Sequence, residues 1–522
     1  MGLLSSLFGP YSDIITFFGL GASLVYVLHR SIRRSRLNYF PGPRGLPVIG
    51  NALQLGAFPW LQMTKWSEEF GPIYSLNLGG THAIVISSHK IAHELLDKRS
   101  GIYSDRPRMI MTGEVLCGGL FSPFNPYGES WRRLRKAAYD GLNKTASEAY
   151  RPIHVREAVL LAEALHQDPS GWMDHINRTT ASGVFSVSYS RPPFSSSADP
   201  IIKRMSDFMH RVERSARPGA FLVDIFPWML HLPEWMAKWK REGNEWHKKD
   251  TKMFFEFYHE AKGRMLEGKC GDCLTTLFSG KRDLTEKEAA WTAGSMFGAG
   301  FSTTSAVQLV FILAMVCNPD VMRKAQEEID RVVGRKRLPT FEDRANMPYF
   351  RAVIRETFRW RSIGPLGLPH ATSSDDVYEG HFIPKGTIVF YNTWGLNRAP
   401  EVFPEPDVFR PERYLDATGT QDYIPPYTHL EGHTTFGYGR RKCLGLNVAN
   451  NTLFLHLSTI LWAFNIEMGK DANGNVATPD PDNFHDEGMV VVPAPFPCEF
   501  VPRDPEVLSI LAKAHNEVLG SD

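Results

Sequence analysis

The cysteine at position 443 has unusual neighbours. It lies in the segment FGYGRRKCLG, residues 436–445, where three basic residues precede it directly and glycines stand on both sides. Phe436 lies seven positions upstream. A structural thiol needs none of these neighbours, whereas a thiolate that binds a metal would use them. The segment therefore predicts a metal-binding thiolate at Cys443, with a buried inert thiol as the alternative.

A long predicted helix carries a second unusual segment. Residues 285–317 begin with TEKE, in which Thr285 and Glu288 can form a capping box, and they end before an Asn-Pro pair. The middle reads FGAGFSTTSA, with Gly298 and Gly300 in the helix interior. Interior glycines cost about 1 kcal/mol each relative to alanine. They indicate that something flat or bulky approaches the backbone, or that the helix has a packing notch against another helix.

Two further segments offer charged side chains. The predicted helix RAVIRETFRW, residues 351–360, places Glu356 and Arg359 on one face, and FRPERY, residues 409–414, offers Arg413 in a proline-bounded loop. Read singly, Glu356 and Arg359 form a surface ion pair that contributes little. Short strand-like runs, AIVIS at 83–87 and TIVFY at 387–391, interrupt the helical periodicity. The body is therefore predicted to be mainly α-helical with small β-sheets.

The bulk composition is that of an ordinary folded protein. The chain has 522 residues, of which 43% are hydrophobic, and its formal net charge of +1 argues against a nucleic-acid partner. Six cysteines in a chain of this length do not form a disulfide framework and fit a reducing compartment. Cys270 and Cys273 form an isolated CxxC, which is half of a zinc site and is interpreted as a pair of ordinary loop thiols.

The N-terminal residues are predicted to anchor the chain in a membrane. Residues 14–28 carry no charge, and one histidine and four arginines follow by residue 36. With the apolar residues upstream, the run can span a bilayer, and the arginines favour the cytoplasmic side. A buried or interfacial helix is the alternative. Residues 1–36 are therefore assigned to an anchor, the proline-rich residues 37–50 to a hinge, and residues 51–522 to the catalytic body.

Five motifs occur together in one order: WRRLR (131–135), AGFSTT (299–304), ETFR (356–359), PER (411–413) and FGYGRRKCLG. With them, the sequence resembles a cytochrome P450, a haem-thiolate monooxygenase, along nearly its whole length. The anchor and hinge resemble the membrane-bound eukaryotic type. The chain looks most like fungal secondary-metabolite members, such as the O-methylsterigmatocystin oxidoreductase-like group. The resemblance implies the cytochrome P450 fold, mainly α with small β-sheets, for residues 51–522.

The resemblance also implies roles for single residues around a haem b cofactor. Cys443 would supply the axial thiolate to the haem iron, and Phe436, Gly439 and Gly445 would shape the loop around the sulfur. The residues that would hold the haem propionates are Arg441, Trp131, Arg135 and His370. For His370, a core histidine with satisfied hydrogen bonds is the alternative.

On the distal side, the resemblance implies that Ala299 and Gly300 leave room for dioxygen and that Thr303 guides protons to it. The family usually has an acid directly before this threonine, whereas this chain has Ser302. A hydroxyl can pass a proton but carries no charge, so proton delivery would be slower, use ordered water or use another acid. A member that rearranges or dehydrates its substrate becomes more credible.

Glu356, Arg359 and Arg413 match the buried carboxylate–arginine cluster of the family. Burying such charges is costly unless all of them are paired. The resemblance therefore implies a structural role that locks the surroundings of the cysteine loop.

The resemblance implies an endoplasmic reticulum enzyme with a cytosolic catalytic domain. It would hydroxylate or epoxidise a lipophilic small molecule, such as a terpenoid or polyketide, with O2 and electrons from NADPH. NADPH-cytochrome P450 reductase would deliver them, with cytochrome b5 as a further partner. A basic docking patch is predicted at Arg132, Arg133, Lys136, Arg440 and Lys442, with a solvated charged face as the alternative.

Two other functions stay open at this point. One is a haem-thiolate isomerase or dehydratase that needs no external electrons, and the other is a haem-binding sensor or carrier without turnover. The substrate pocket is expected to include residues 109–124 and 208–221, Phe297, Phe301, residues 366–368, Met489 and Val490. These regions were interpreted as largely apolar, with Glu114 as their one acid.

Overall fold

The computed structural model describes residues 38–217 and 219–520. Helices predominate in this part of the chain and the strands are short, which confirms the prediction of a mainly α-helical body with small β-sheets. The predicted anchor, residues 1–36, lies outside the described residues.

The helices run through the whole described chain. In order, the α-helices are α1 (Pro59–Phe70), α2 (His89–Ala92), α3 (Glu129–Leu142), α4 (Lys144–Glu148), α5 (Arg151–Gln167), α6 (Trp172–Tyr189), α7 (Pro200–Ala216), α8 (Leu222–Ile225), α9 (Lys238–Leu266), α10 (Leu274–Ser279), α11 (Glu286–Cys317), α12 (Pro319–Val333), α13 (Pro348–Trp360), α14 (Thr393–Leu396), α15 (Leu446–Ala463) and α16 (Pro505–Gly520). Tighter or wider helical turns lie between them, at Ala52–Gln54, His93–Lys98, Ile110–Leu116, Pro169–Gly171, Pro227–His231, Phe341–Asn346, Pro411–Tyr414 and Gly439–Arg441.

The strands form one four-stranded sheet and three strand pairs. They are β1 (Ile73–Leu78), β2 (Thr81–Ile86), β3 (His370–Ala371), β4 (Asp376–Tyr378), β5 (His381–Ile383), β6 (Ile388–Tyr391), β7 (Phe464–Met468), β8 (Phe484–Asp486), β9 (Val491–Pro493) and β10 (Cys498–Pro502). The larger sheet has the order β1-β2-β6-β3, and the pairs are β4–β5, β8–β9 and β7–β10. The two predicted strands are neighbours in it: β2 and β6 run parallel, with Ile84 opposite Val389.

Helix α11 forms the centre of the body. Thr285 caps it in a capping box with Glu288, as predicted, and it ends at Cys317. Its length and hydropathy would suit a membrane span, but 78% of its most apolar window is buried inside the fold. It is therefore the core helix, packed along α6 and between α9 and α15.

The proline-rich segment, predicted to be a hinge, lies against the larger sheet from Pro41 onward. The Pro41 carbonyl accepts a hydrogen bond of 2.8 Å from the Ser75 N–H in β1. A Cβ atom at Gly42 would lie 2.0 Å from the Ser75 carbonyl oxygen, so only glycine allows this approach. The described part of the segment is thus attached to the body.

Candidate active site

The cysteine loop is closed by its own backbone. The Cys443 N–H donates a hydrogen bond of 2.9 Å to the Phe436 carbonyl, around the turn Gly439–Arg441. Gly439 has a positive φ of 55°, and a Cβ there would lie 2.1 Å from the Leu96 carbonyl oxygen. The turn therefore requires glycine at this position. It holds Cys443 between the loop and the start of α15, which Gly445 caps.

Cys443 borders an internal space. Protein surrounds the residue, and this burial raises the pKa of its thiol, whereas the N–H groups of Gly445 and Leu446 and the Arg135 guanidinium act in the opposite direction. Its side chain nevertheless keeps accessible surface, while Tyr438 and Arg441 in the same loop are buried. A thiol in this position is ionised most easily by a bound metal ion.

Arginine side chains converge beside the loop. Arg441 donates to the carbonyls of Ser104 (2.8 Å) and Asn125 (2.7 Å), and its guanidinium lies 4.1 Å from the Trp131 ring centre. Arg135 donates to the Lys442 carbonyl at 2.5 Å. Trp131 and Arg135 thus face the loop together from α3, as predicted from their spacing.

A third arginine of this cluster was missed by the sequence reading. Arg106 donates to the carbonyls of Leu368 (2.6 Å) and Pro369 (2.8 Å) and is buried. Burial, together with Arg106 and Arg135, lowers the pKa of Arg441 to about 8. Arg106 stands in SDRPR, an irregular loop, so no helical spacing links it to the motif residues.

His370 adds a free imidazole nitrogen to the cluster. Its Nδ1–H donates to the Tyr103 carbonyl at 2.6 Å, while its Nε2 is buried without a partner among the described residues. This unpartnered Nε2 favours a ligand-binding role over the alternative of a core histidine with satisfied hydrogen bonds. Burial, followed by Arg106 and Arg441, holds the pKa of His370 well below its usual range.

The residues present fit the haem implied by the resemblance. Arg106, Arg135 and Arg441 hydrogen-bond only carbonyl groups and form no ion pair with a carboxylate in the described chain. Two haem carboxylates would supply the missing negative charge, and a carboxylate beside His370 would raise its lowered pKa, so that a protonated Nε2–H could donate to it. Cys443 offers an accessible sulfur beside these cations.

The middle of α11 also borders an internal space. Residues 299–303 are half-buried, whereas Phe297 and Thr304 on either side are buried. The Thr303 hydroxyl donates to the Ala299 carbonyl at 2.8 Å, which leaves its oxygen lone pairs free to accept. The Ser302 hydroxyl is buried and has no partner among the described residues.

The interior glycines of α11 have a packing reason. A Cβ at Gly300 would lie 3.0 Å from Val184 of α6, and one at Gly298 would lie 2.6 Å from the Met209 sulfur of α7. These contacts support the alternative of a packing notch, because the two glycines let α6 and α7 pack closely against α11. The side from which a Gly300 side chain would project is filled by α6.

The predicted pocket regions meet in one apolar cluster, with two exceptions. Phe121, Phe208 and Phe297 are buried in it, and Met109, Phe301, Leu368, Leu444 and Met489 pack at its edge. Leu366 and Val490 belong to two other clusters. Leu444 follows Cys443 directly, so the cysteine loop adjoins this cluster.

One buried acid in these regions was overlooked in the sequence. Glu213 of α7 is 2% exposed, and its Oε1 has no hydrogen-bond partner among the described residues. Burial, together with Glu487, raises the pKa of Glu213 to about 8. The interpretation that Glu114 is the one acid of the pocket regions is therefore wrong.

Glu213 predicts a specific pH dependence of stability. Because its folded pKa lies above the usual value, the folded state binds the extra proton, and stability falls as pH rises from about 4.5 to about 8. We expect Glu213→Gln to remove this loss, which is worth up to about 5 kcal/mol since one pH unit corresponds to about 1.4 kcal/mol. Thermal melts at pH 4.5 and 8.5 span the range of this loss. The exposed Glu245→Gln is the control, and equal pH dependence of the wild type and Glu213→Gln would contradict the prediction.

The three predicted members of the charge cluster come together. Glu356 accepts from Arg359 at 2.6 and 2.8 Å, from the Arg413 Nε–H at 3.1 Å and from the Arg410 backbone N–H at 2.8 Å. Arg359 also donates to the Asn397 carbonyl at 3.0 Å. The Asn397 side chain accepts from the Thr434 N–H at 3.0 Å, so the cluster connects to the start of the cysteine loop.

The predicted basic patch is smaller than expected. Arg133 pairs with Glu288 at the start of α11, and Lys442 pairs with Glu431 at 2.7 Å. Arg132, Lys136 and Arg440 are exposed, and Arg132 lies 4.8 Å from the Tyr127 ring centre. These three residues remain as a basic surface beside the cysteine loop.

Comparison with known proteins agrees with this geometry. The family model described as cytochrome P450 matches residues 40–496. The chain is 48% identical over 496 residues to cytochrome P450 monooxygenase 58 of Postia placenta, with 94% of each chain covered. It is 34% identical over 532 residues to cytochrome P450 monooxygenase iboC of Amanita muscaria, with 92% of this chain and 94% of that protein covered. The chain therefore belongs to the cytochrome P450 family of monooxygenases.

Proposed function

We propose that this enzyme uses O2 and electrons from NADPH, delivered by a membrane-bound reductase, to hydroxylate or epoxidise a lipophilic small molecule. The proposed substrate classes are terpenoids and polyketides. The observation that carries the proposal is the position of Cys443 beside an apolar cluster. Its neighbour Leu444 packs against the cluster that contains Phe297 and is edged by Phe301 and Met489. Oxidation on the α11 side of the site, where Phe297 and Phe301 lie, would therefore meet an apolar substrate.

Each site residue has a part in the proposal. Cys443 would bind the iron, and Phe436, Gly439 and Gly445 would keep the loop in shape. Arg106, Arg135, Arg441 and His370 would hold the two carboxylates, with Trp131 packed against Arg135 and Arg441. The bound haem supplies the activation of O2 and the oxidation of the substrate.

Thr303 is proposed to guide protons in the distal space. Its hydroxyl hydrogen is held by the Ala299 carbonyl, so the oxygen can accept a hydrogen bond from water or from the bound reactant. Ser302 is uncharged and cannot act as the acid. We propose that ordered water carries the proton to Thr303.

We predict that Thr303→Ala uncouples electron use from product formation. NADPH consumption should continue while the product formed per NADPH falls roughly tenfold or more, because the hydroxyl that positions the proton-carrying water is lost. Thr303→Ser keeps the hydroxyl and is the matched control. Product and hydrogen peroxide are measured in the same reaction, and unchanged coupling in Thr303→Ala would remove Thr303 from the proposal.

Membrane attachment is supported by an exposed apolar surface in addition to residues 14–28. Trp228 is 63% exposed and Trp235 is 78% exposed after α8, Val48 of the proline-rich region is 91% exposed, and Leu53 just after that region is 71% exposed. The Gly79 N–H donates to the Ile49 carbonyl at 3.0 Å, and a Cβ at Gly79 would lie 4.0 Å from Ile225, so the two apolar stretches adjoin. We place the enzyme in the endoplasmic reticulum membrane with its catalytic domain in the cytosol.

The test is reconstituted turnover. Full-length enzyme, NADPH and the reductase are combined with apolar candidate substrates under 18O2. The proposal predicts NADPH-dependent product that contains one labelled oxygen atom. The alternative, a haem-thiolate isomerase or dehydratase, is favoured by the uncharged Ser302 and predicts product without NADPH and without label.

A further inference from the structure

A second cluster of potential metal ligands lies behind the cysteine loop. Asp97 Oδ2 is 2.9 Å from His93 Nδ1 and 2.7 Å from His429 Nε2. These three ligand atoms all lie within 4.8 Å of one another. The side chains are 33%, 19% and 18% exposed for His93, Asp97 and His429, so an ion can reach them from solvent while the fold still holds them.

We propose that His93, Asp97 and His429 form a binding site for a divalent cation of the zinc type. Two imidazoles and one carboxylate are a ligand set that Zn²⁺ uses, with ligand distances of about 2.0–2.2 Å and water in the fourth position. Ligands at such distances lie roughly 3.3 Å apart around a tetrahedral ion. The two separations from Asp97 Oδ2 are those of hydrogen bonds and need an outward shift of about 0.5 Å, while the two imidazole nitrogens, within 4.8 Å of each other, must also reach this spacing.

The fold holds these three side chains close together without a bound ion. His93 and Asp97 are one helical turn apart in His93–Lys98, so they share a face. His429 has a positive φ of 60°, an unusual conformation for a residue other than glycine, and its ring contacts Tyr438 with centres 5.0 Å apart. In the described chain, no lysine or arginine forms an ion pair with Asp97.

The orientation of Asp97 is set by the cysteine loop. Its Oδ1 accepts the Gly439 N–H at 2.7 Å, which leaves Oδ2 for the ion. Although burial acts the other way, hydrogen bonds from His429, His93 and the Gly439 N–H hold the pKa of Asp97 below its usual range. The carboxylate is therefore ionised at neutral pH. Such outer partners of a ligand commonly raise metal affinity by about 10- to 100-fold.

The test is direct metal uptake. EDTA-treated, full-length holoprotein is dialysed to equilibrium against ZnCl2, and bound zinc is measured by atomic emission. The wild type should bind one Zn²⁺ per chain. His93→Gln and His429→Gln should bind zinc at least about tenfold more weakly. Asp97→Asn keeps an acceptor for the Gly439 N–H and should also lose zinc. His210→Gln, an exposed histidine of α7, is the matched control and should bind like the wild type.

The CxxC pair is the competing site. Cys270 Sγ and Cys273 Sγ are 4.0 Å apart and could bind zinc themselves. The double variant Cys270→Ser/Cys273→Ser should retain zinc. The proposal is overturned if this double variant loses zinc or if the wild type binds none. It is also overturned if His93→Gln and His429→Gln bind zinc like the wild type. Zinc uptake does not depend on the proposed monooxygenase reaction, so the two can fail separately.

Discussion

Cys443→Ala is expected to abolish the red-shifted Soret band of the reduced carbon monoxide complex, because that band requires a thiolate ligand to the iron. The change removes only the sulfur. The hydrogen bond from the residue 443 N–H to the Phe436 carbonyl belongs to the backbone and remains. The protein should therefore stay folded while the spectrum changes completely.

The spectrum is recorded beside circular dichroism of the same samples. Cys270→Ala is the matched control, because this cysteine lies far along the chain in a loop between α9 and α10. It should keep the wild-type band. A histidine-like band in the wild type, or a retained thiolate band in Cys443→Ala, would show that the iron ligand has been misassigned.

The local parts of the site could be predicted from sequence. The capping box of α11, the helical spacing of Trp131 and Arg135 and the pair Glu356–Arg359 all depend on residues within one or two helical turns. Local spacing determines which side chains share a face, whatever the rest of the fold does.

The missed residues depend on contacts between distant segments. Arg106 joins the site because its side chain reaches the carbonyls of Leu368 and Pro369 across the fold. Glu213 is visible in the sequence as an acid of residues 208–221, but its burial is not, because a distant segment packs against it: a Cβ at Gly488, between β8 and β9, would lie 3.0 Å from the Glu213 carbonyl oxygen. The sequence also could not show what Gly300 faces. An interior glycine gives the same pattern whether a ligand or a neighbouring helix packs against it.

Arg359→Met is expected to have the largest effect on stability. It leaves the Glu356 carboxylate, which is 0% exposed, without both hydrogen bonds from the Arg359 guanidinium, at 2.6 and 2.8 Å. Arg413 and the Arg410 N–H remain but cannot replace them. Breaking a buried pair on one side costs about 3–5 kcal/mol. Because Asn397 connects this cluster to Thr434, we expect the haem-bound form to be lost together with the stability.

The chain contains a matched control for this prediction. Asp320 and Arg323 in α12 form an ion pair with the same spacing of three residues, but their side chains are 80% and 64% exposed. Arg323→Met should change the free energy of unfolding by less than about 1 kcal/mol. The free energy of unfolding is measured with denaturant for both variants and for Glu356→Gln/Arg359→Met. The double variant removes both buried charges and should recover part of the stability that Arg359→Met loses, so it separates the effect of the unpaired charge from that of burial. Equal effects of Arg359→Met and Arg323→Met would mean that burial of the Glu356–Arg359 pair does not stabilise the loop.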